Sequence, residues 1–213
     1  MKLTILIDSV SRSPLPHPKQ RVRLLRHVQR RVPQIDPRRM QLRRFSCLFH
    51  VNRSLGEIQY QREEYRDAIL SYLKVLELKP EYGIVASRLA DSLNEVAVRL
   101  LDLGNSRSLD QARQLLQKAI ALRPGVAKYY TNLGSYYYFK SDYPQAINIL
   151  NTAVNLRPDE ARAYYDLGHS YRAVGDRENA IASYSRYVAI GEKGEAERIE
   201  RARKLIEQLR KSH

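Results

Sequence analysis

A single cysteine, Cys47, leaves this chain no intramolecular disulfide framework and no cysteine-based zinc cluster. That suits a reducing compartment, and the cytoplasm is the expected location. No apolar run approaches the roughly 18 residues a spanning helix needs, so an integral membrane protein is not expected. His17, His27, His50, His169 and His213 fall in no metal-ligand pair of the H-E-x-x-H kind. No Gly-rich phosphate loop follows a strand pattern. Cys47 sits between Ser46 and Leu48 with no basic partner of catalytic type, so a buried thiol at a domain edge is expected rather than a nucleophile. Asp159-Glu160 and Glu63-Glu64 open helices, where the positive end of the helix dipole favours them. Neither an enzyme nor a cofactor or metal site is expected.

Acidic residues are also scarce, but only in one place. Residues 1–48 contain no Glu and no Tyr, and hold twelve Lys and Arg against Asp8 and Asp36. That is +10 of the chain's +14, which leaves the remaining residues close to balanced. The same stretch carries five of the nine prolines. Leu3, Ile5 and Ile7 are spaced for a short strand over residues 1–10. Pro14, Pro16 and Pro18 alternate and favour an extended, solvated chain over residues 11–20. Leu24, Leu25 and Val28 share one side of a short basic helix over Arg21 to Val32, which Pro33 ends. Three readings of residues 1–48 stay open. They are an organelle-targeting leader, an arm attracted to nucleic acid or an anionic membrane, or a disordered tail, the last including a true start further in at Met40.

Beyond the leader the chain repeats. Tyr130-x2-Leu133-Gly134-x2-Tyr137 is followed by Ala146-x3-Leu150, Ala153 and Pro158. Thirty-four residues later, Tyr164-x2-Leu167-Gly168-x2-Tyr171 is followed by Ala180-x3-Tyr184. The small residues (Gly134, Gly168, Ala146, Ala153, Ala180) mark where two antiparallel helices cross at close range, and the bulky ones fill the space around the crossing. Pro158 has no amide hydrogen and clashes with the preceding turn, so the second helix stops before it. One such pair cannot bury its apolar face alone; stacked neighbours share a continuous core.

This period and pattern resemble the tetratricopeptide repeat family, over about three quarters of the chain. The resemblance implies an all-α, right-handed α-solenoid of about four helix pairs with a C-terminal capping helix. Repeats are expected over 49–82, 83–126, 127–160 and 161–194, and the cap over 195–210. Repeat one places Asn52, Leu55, Gly56 and Gln59, then Ala68, Tyr72, Val75 and Pro80, in the motif. Its polar substitutions suit a terminal repeat with one side to solvent. Ala68 and Ala112 lie 44 residues apart instead of 34, and the ten extra residues are expected in one lengthened helix from Ile84 to Leu103. Gly104 ends that helix, and Ser108 or Asp110 is the expected cap of the next. That extension is a candidate private contact, or a neutral insertion. Repeat four departs at Tyr187 and Glu192, and its second helix stops at Gly191 and Gly194. Ala196, Ile199, Ala202, Ile206 and Leu209 then form one side of the cap, with Glu197–Arg201, Glu200–Lys204 and Glu207–Lys211 as i,i+4 pairs on the other.

In this family the first helix of each repeat lines a concave groove. Carried over, the groove positions are Lys128, Thr131, Ser135, Tyr138 and Phe139 in repeat three, and Arg162, Tyr165, His169, Arg172 and Ala173 in repeat four. In repeat one they are His50, Arg53, Glu57, Tyr60 and Gln61. Aromatic area beside guanidinium groups implies an extended protein segment with acidic and apolar side chains as ligand. An ordinary amphipathic surface is the competing reading. The family's carboxylate clamp for chaperone C-termini needs Lys, Asn and Asn where this chain has Thr131, Ser135 and Asp166, so that ligand is not expected. Tyr136-Tyr137-Tyr138 is explained by packing, with Tyr137 in the core, Tyr138 in the groove and Tyr136 between repeats. A near-balanced repeat region gives no basic, aromatic-interleaved surface for RNA. Nucleic acid or membrane contact would have to come through the leader.

Overall fold

The computed structural model describes residues 37–191 and 196–211. The strand, extended stretch and basic helix expected over residues 1–32 lie outside these, as do Glu192 and Gly194. The chain divides into two compact units, 1–45 and 46–213, and of the first only the residues from Pro37 onward are described. Among the described residues there are nine helices and no strand: α1 (Pro37–Gln61), α2 (Tyr65–Leu78), α3 (Gly83–Leu103), α4 (Ser106–Leu122), α5 (Ala127–Phe139), α6 (Tyr143–Leu156), α7 (Ala161–Ala173), α8 (Arg177–Ile190) and α9 (Ala196–Lys211). The second unit is an all-α solenoid of helix pairs, α1/α2 through α7/α8, closed by α9.

Each crossing is built as its small residues require. A Cβ added at Gly134 would stand 2.5 Å from Cγ of Leu150, and one at Gly168 would stand 2.5 Å from Cε1 of Tyr184. At Gly56 it would meet Cε1 of Tyr72 at 2.6 Å. Ala68, Ala112, Ala146 and Ala180 are fully buried opposite, as are Tyr72, Leu116, Leu150 and Tyr184. Every turn from inner to outer helix contains one residue with positive φ: Glu63 (60°), Gly104 (66°), Ser141 (59°) and Gly175 (79°). Glu63 thus shapes the turn, and Glu64 alone stands at the start of α2.

The ends depart from the repeat pattern for identifiable reasons. Tyr187, standing where the other repeats have Val75, Ala119 or Ala153, is buried in a cluster with Ala202 and Ile206 of α9. The larger ring fills the space against the capping helix. On α9, Arg201 pairs with Glu197 as expected, whereas Glu200 is met by Arg203 at 3.7 Å rather than by Lys204. At the other end α1 begins at Pro37, so residues 37–48, placed in the leader by sequence, are helical. Leu133 and Leu167 are covered by the outer helix of the preceding pair. Among the described residues nothing precedes α1, and its Leu55 is 43% exposed. Cys47, expected to be buried, is exposed on the same helix.

The insertion is not confined to one helix. α3 has 21 residues against 13 in α5 and α7, and α4 has 17 against 14 in α6 and α8. Eight extra residues therefore lengthen α3 and three lengthen the start of α4, with a link shorter by one. The α4 cap is Asn105: its side-chain oxygen accepts from the Ser108 amide at 2.9 Å, and the Ser108 hydroxyl donates back to the Asn105 carbonyl. Ser108 and Asp110 both lie inside the helix.

Candidate functional site

The inner helices α3, α5 and α7 are tied side by side by polar contacts rather than by apolar ones alone. Asn132 of α5 donates to Asn94 of α3 at 2.7 Å, and both side chains are buried. The Tyr129 hydroxyl donates to Asp91, which Arg123 approaches at 3.4 Å. Lys128 pairs with Glu95 at 2.7 Å, and on the earlier inner helix Glu57 receives Arg88 at 3.3 Å. Ser135 of α5 donates to Asp166 of α7 at 2.7 Å. Burial pushes the Asp166 carboxyl up, opposed by Arg162, by the Ser135 bond and by Arg198.

These contacts also fix how far each helix is seated along its predecessor. Asn132 and Asp166 are the sixth residues of α5 and α7. Their partners are the twelfth residue of α3, Asn94, and the ninth of α5, Ser135. Repeat three is therefore seated three residues, about 4.5 Å and just under one helical turn, further along α3 than repeat four is along α5.

The sequence-predicted residues fall into two groups. Thr131 and Ser135 are 1% and 6% exposed. The Thr131 hydroxyl donates to the Ala127 carbonyl, and Ser135 holds Asp166 as described. Both are buried in the packing of α5. Of the others, Tyr138, Phe139, Tyr165, His169 and Arg172 gather on α5 and α7. His169 lies edge-on to Tyr165 at 4.6 Å and to Tyr138 at 6.1 Å between ring centroids. Tyr138 also meets Phe139 and Tyr143, and Phe139 is largely exposed. Arg162 and Arg172 are exposed and have no ion pair within 4 Å among the described residues. Burial, and then the neighbouring Arg172, hold the His169 imidazole down at about 4, so the ring is neutral at pH 7. Lys128 is half spent on Glu95.

Sequence reasoning did not find Tyr143 and Tyr184, which complete the aromatic cluster from the outer helices α6 and α8. Tyr184 was legible as a core residue; fully buried, its ring backs Tyr165 and His169. Tyr136 lies between repeats two and three, its hydroxyl 3.3 Å from Asp110, while Tyr137 packs half-buried behind it. Among the described residues no group of three His, Cys, Asp or Glu side chains is placed to hold a metal ion, and no helix is long and apolar enough to cross a membrane.

Residues 135–175 match a family model described as TPR repeat, and residues 161–191 and 53–86 match models described as tetratricopeptide repeat. No curated protein matches the chain in sequence. Among solved structures it is similar to a MamA protein at 24% identity and a TM-score of 0.52, over 77% of this chain and 87% of that one. It is similar to the TPR domain of Arabidopsis OM64 at 16% identity and a TM-score of 0.52, over 60% of this chain and 99% of that one. SycD, a type III secretion translocator chaperone of Yersinia enterocolitica, aligns at 15% identity and a TM-score of 0.51, over 57% of this chain and 85% of that one. At these identities the likeness is one of fold.

Proposed function

Because the chain is a tetratricopeptide-repeat protein, a member of a family of protein-interaction modules, we propose that it is a non-catalytic scaffold whose inner groove at α5 and α7 takes an extended protein segment with acidic and apolar side chains. The observation that carries this reading is the ledge of Tyr138, His169 and Tyr165, with the exposed guanidinium groups of Arg162 and Arg172 on α7, neither of them in an ion pair within 4 Å among the described residues. The rings offer contact area at small entropic cost, and a planar guanidinium pairs with a carboxylate through two parallel hydrogen bonds. Phe139 extends the apolar part and Lys128 adds a weaker, shared cation. Thr131 and Ser135 act on the ligand only by fixing the wall. With Thr131, Ser135 and Asp166 in place of the clamp residues, a chaperone C-terminus is not the ligand proposed.

The test is affinity capture with the full chain and with Arg162→Glu/Arg172→Glu, both exposed positions, followed by titration of the segment recovered. A partner kept by the wild type and lost by the variant supports the groove; capture indifferent to the charge reversal refutes it. A second reading rests on the +10 carried by residues 1–48: tethering of the chain to nucleic acid or an anionic membrane. Binding of that kind falls steeply between low and physiological salt and ignores Arg172.

A further inference from the structure

We propose that the outer face of repeats one and two is a second docking surface, which takes an amphipathic helix of a partner protein carrying carboxylates along both margins of its apolar stripe. Of the residues by which α3 exceeds α5 and α7, Val96 and Leu100 line this face. An apolar trough of about 830 Å³ runs between α2 and α4, with α3 as its floor. The floor is the stripe Leu89, Leu93, Val96 and Leu100, whose 4-3-4 spacing keeps all four on one side of the helix. Asp91, Asn94 and Glu95, which tie α3 to α5, point to the opposite side by the same geometry. The trough thus lies on the face of α3 opposite its polar contacts with α5.

The walls decide what fits. α2 contributes Ile69 and Leu73, and α4 contributes Leu115 and Leu122; Leu73 is 43% and Leu122 37% exposed. These side chains present apolar surface and no free backbone groups. An extended segment laid there would bury its amides without partners, whereas a helix satisfies its own. From Leu89 to Leu100 the floor spans about 16 Å, three helical turns. Each wall also carries one exposed cation, Arg66 on α2 and Lys118 on α4; among the described residues neither is in an ion pair, and no acidic residue lines the trough. Glu63, Glu64 and Asp67 line a smaller depression beside the α1–α2 turn, which adjoins the trough at Arg66, Val96 and Leu100.

Charge also selects among occupants. The leader is strongly basic, and a second copy would offer its exposed α1 stripe (Leu48, Val51, Leu55, Ile58), which follows Arg43 and Arg44. Either would bring cations to cations. A partner helix with Glu or Asp at its margins meets Arg66 and Lys118 with opposite charge.

The experiment uses the full chain and a labelled, helix-stabilised peptide of about 14 residues with Leu at i, i+3, i+7 and i+10. One version has Glu at the flanking positions and the other Lys. The Glu peptide is expected to bind saturably and about tenfold tighter than the Lys peptide. Arg66→Glu/Lys118→Glu reverses that preference, Leu73→Glu removes binding of both, and Arg162→Glu/Arg172→Glu leaves it unchanged. Circular dichroism melts confirm that these surface variants fold. Absence of binding, or equal binding of the two peptides that ignores the charge reversal, overturns the proposal. Self-association abolished by Leu73→Glu overturns it in favour of a second copy. Binding that appears only after removal of residues 1–36 overturns it in favour of the leader.

Discussion

Acid should weaken this fold through one side chain. His169 packs among Tyr138, Tyr165 and Tyr184, and burial with Arg172 nearby holds its imidazole at about 4, against 6.5 in an unfolded chain. A histidine depressed in the folded state binds its proton first in the unfolded state. Its contribution to stability is therefore complete above pH 6.5 and is lost as pH falls toward 4. At 1.36 kcal/mol per unit, the loss is about 2 kcal/mol by pH 5 and about 3 kcal/mol by pH 4. Asp166, pushed up by burial, works in the other direction, so wild type alone is not a clean measure. His169→Phe keeps a ring among the three tyrosines and removes the titration. Urea unfolding of both proteins at half-unit steps from pH 7.5 to 4 gives the difference curve. The wild type should lose ground against the variant by about 2 kcal/mol between pH 7 and 5. Parallel curves over that range would refute the assignment of a half-buried, neutral imidazole.

Four further outcomes follow from packing, capping and backbone conformation. Gly168→Ala puts a methyl 2.5 Å from the Tyr184 ring and should destabilise by about 1–3 kcal/mol in chemical denaturation, despite alanine's better helix propensity. Ser141→Gly relieves a left-handed residue (φ 59°) in an exposed turn and should raise stability by roughly 1 kcal/mol, visible as a higher urea midpoint. Asn105→Ala removes the α4 cap and should cost about 1 kcal/mol by the same assay. Asn132→Ala leaves the Asn94 carbonyl oxygen buried without its donor and should cost about 1–3 kcal/mol, with less than additive loss when Asn94→Ala is combined with it.

Crossings were the most legible part of the fold. Gly134 with Leu150 and Gly168 with Tyr184 read as close contacts because the repeat pattern sets each glycine against a bulky residue of the partner helix, sixteen residues on. The lengthened α3 was legible from its unbroken apolar spacing and Gly104, yet the three residues added to α4 were not. Ser106 to Leu109 reads equally well as loop or helix until Asn105 is seen capping it. The start of α1 escaped for a related reason: prolines and arginines over 33–44 give leader composition, and Pro37 is compatible with a first helical turn. Among the groove residues, the family register placed Tyr138, Tyr165, His169 and Arg172 together. It carried no sign that Thr131 and Ser135 would be buried, because the Thr131 hydroxyl turns back to the Ala127 carbonyl of its own helix and Ser135 meets Asp166 across 31 residues of chain.

The amide pair between α3 and α5 bears on the fidelity of stacking. A helix as long as α3, with apolar residues returning every turn, offers a neighbouring pair more than one berth of similar hydrophobic quality. Asn94 and Asn132 do not recur: displaced by a turn, each amide would be shut into the interface without its mate, at a cost of about 1–3 kcal/mol apiece. An array of near-interchangeable units thus acquires an address at one junction, the one where its length is irregular.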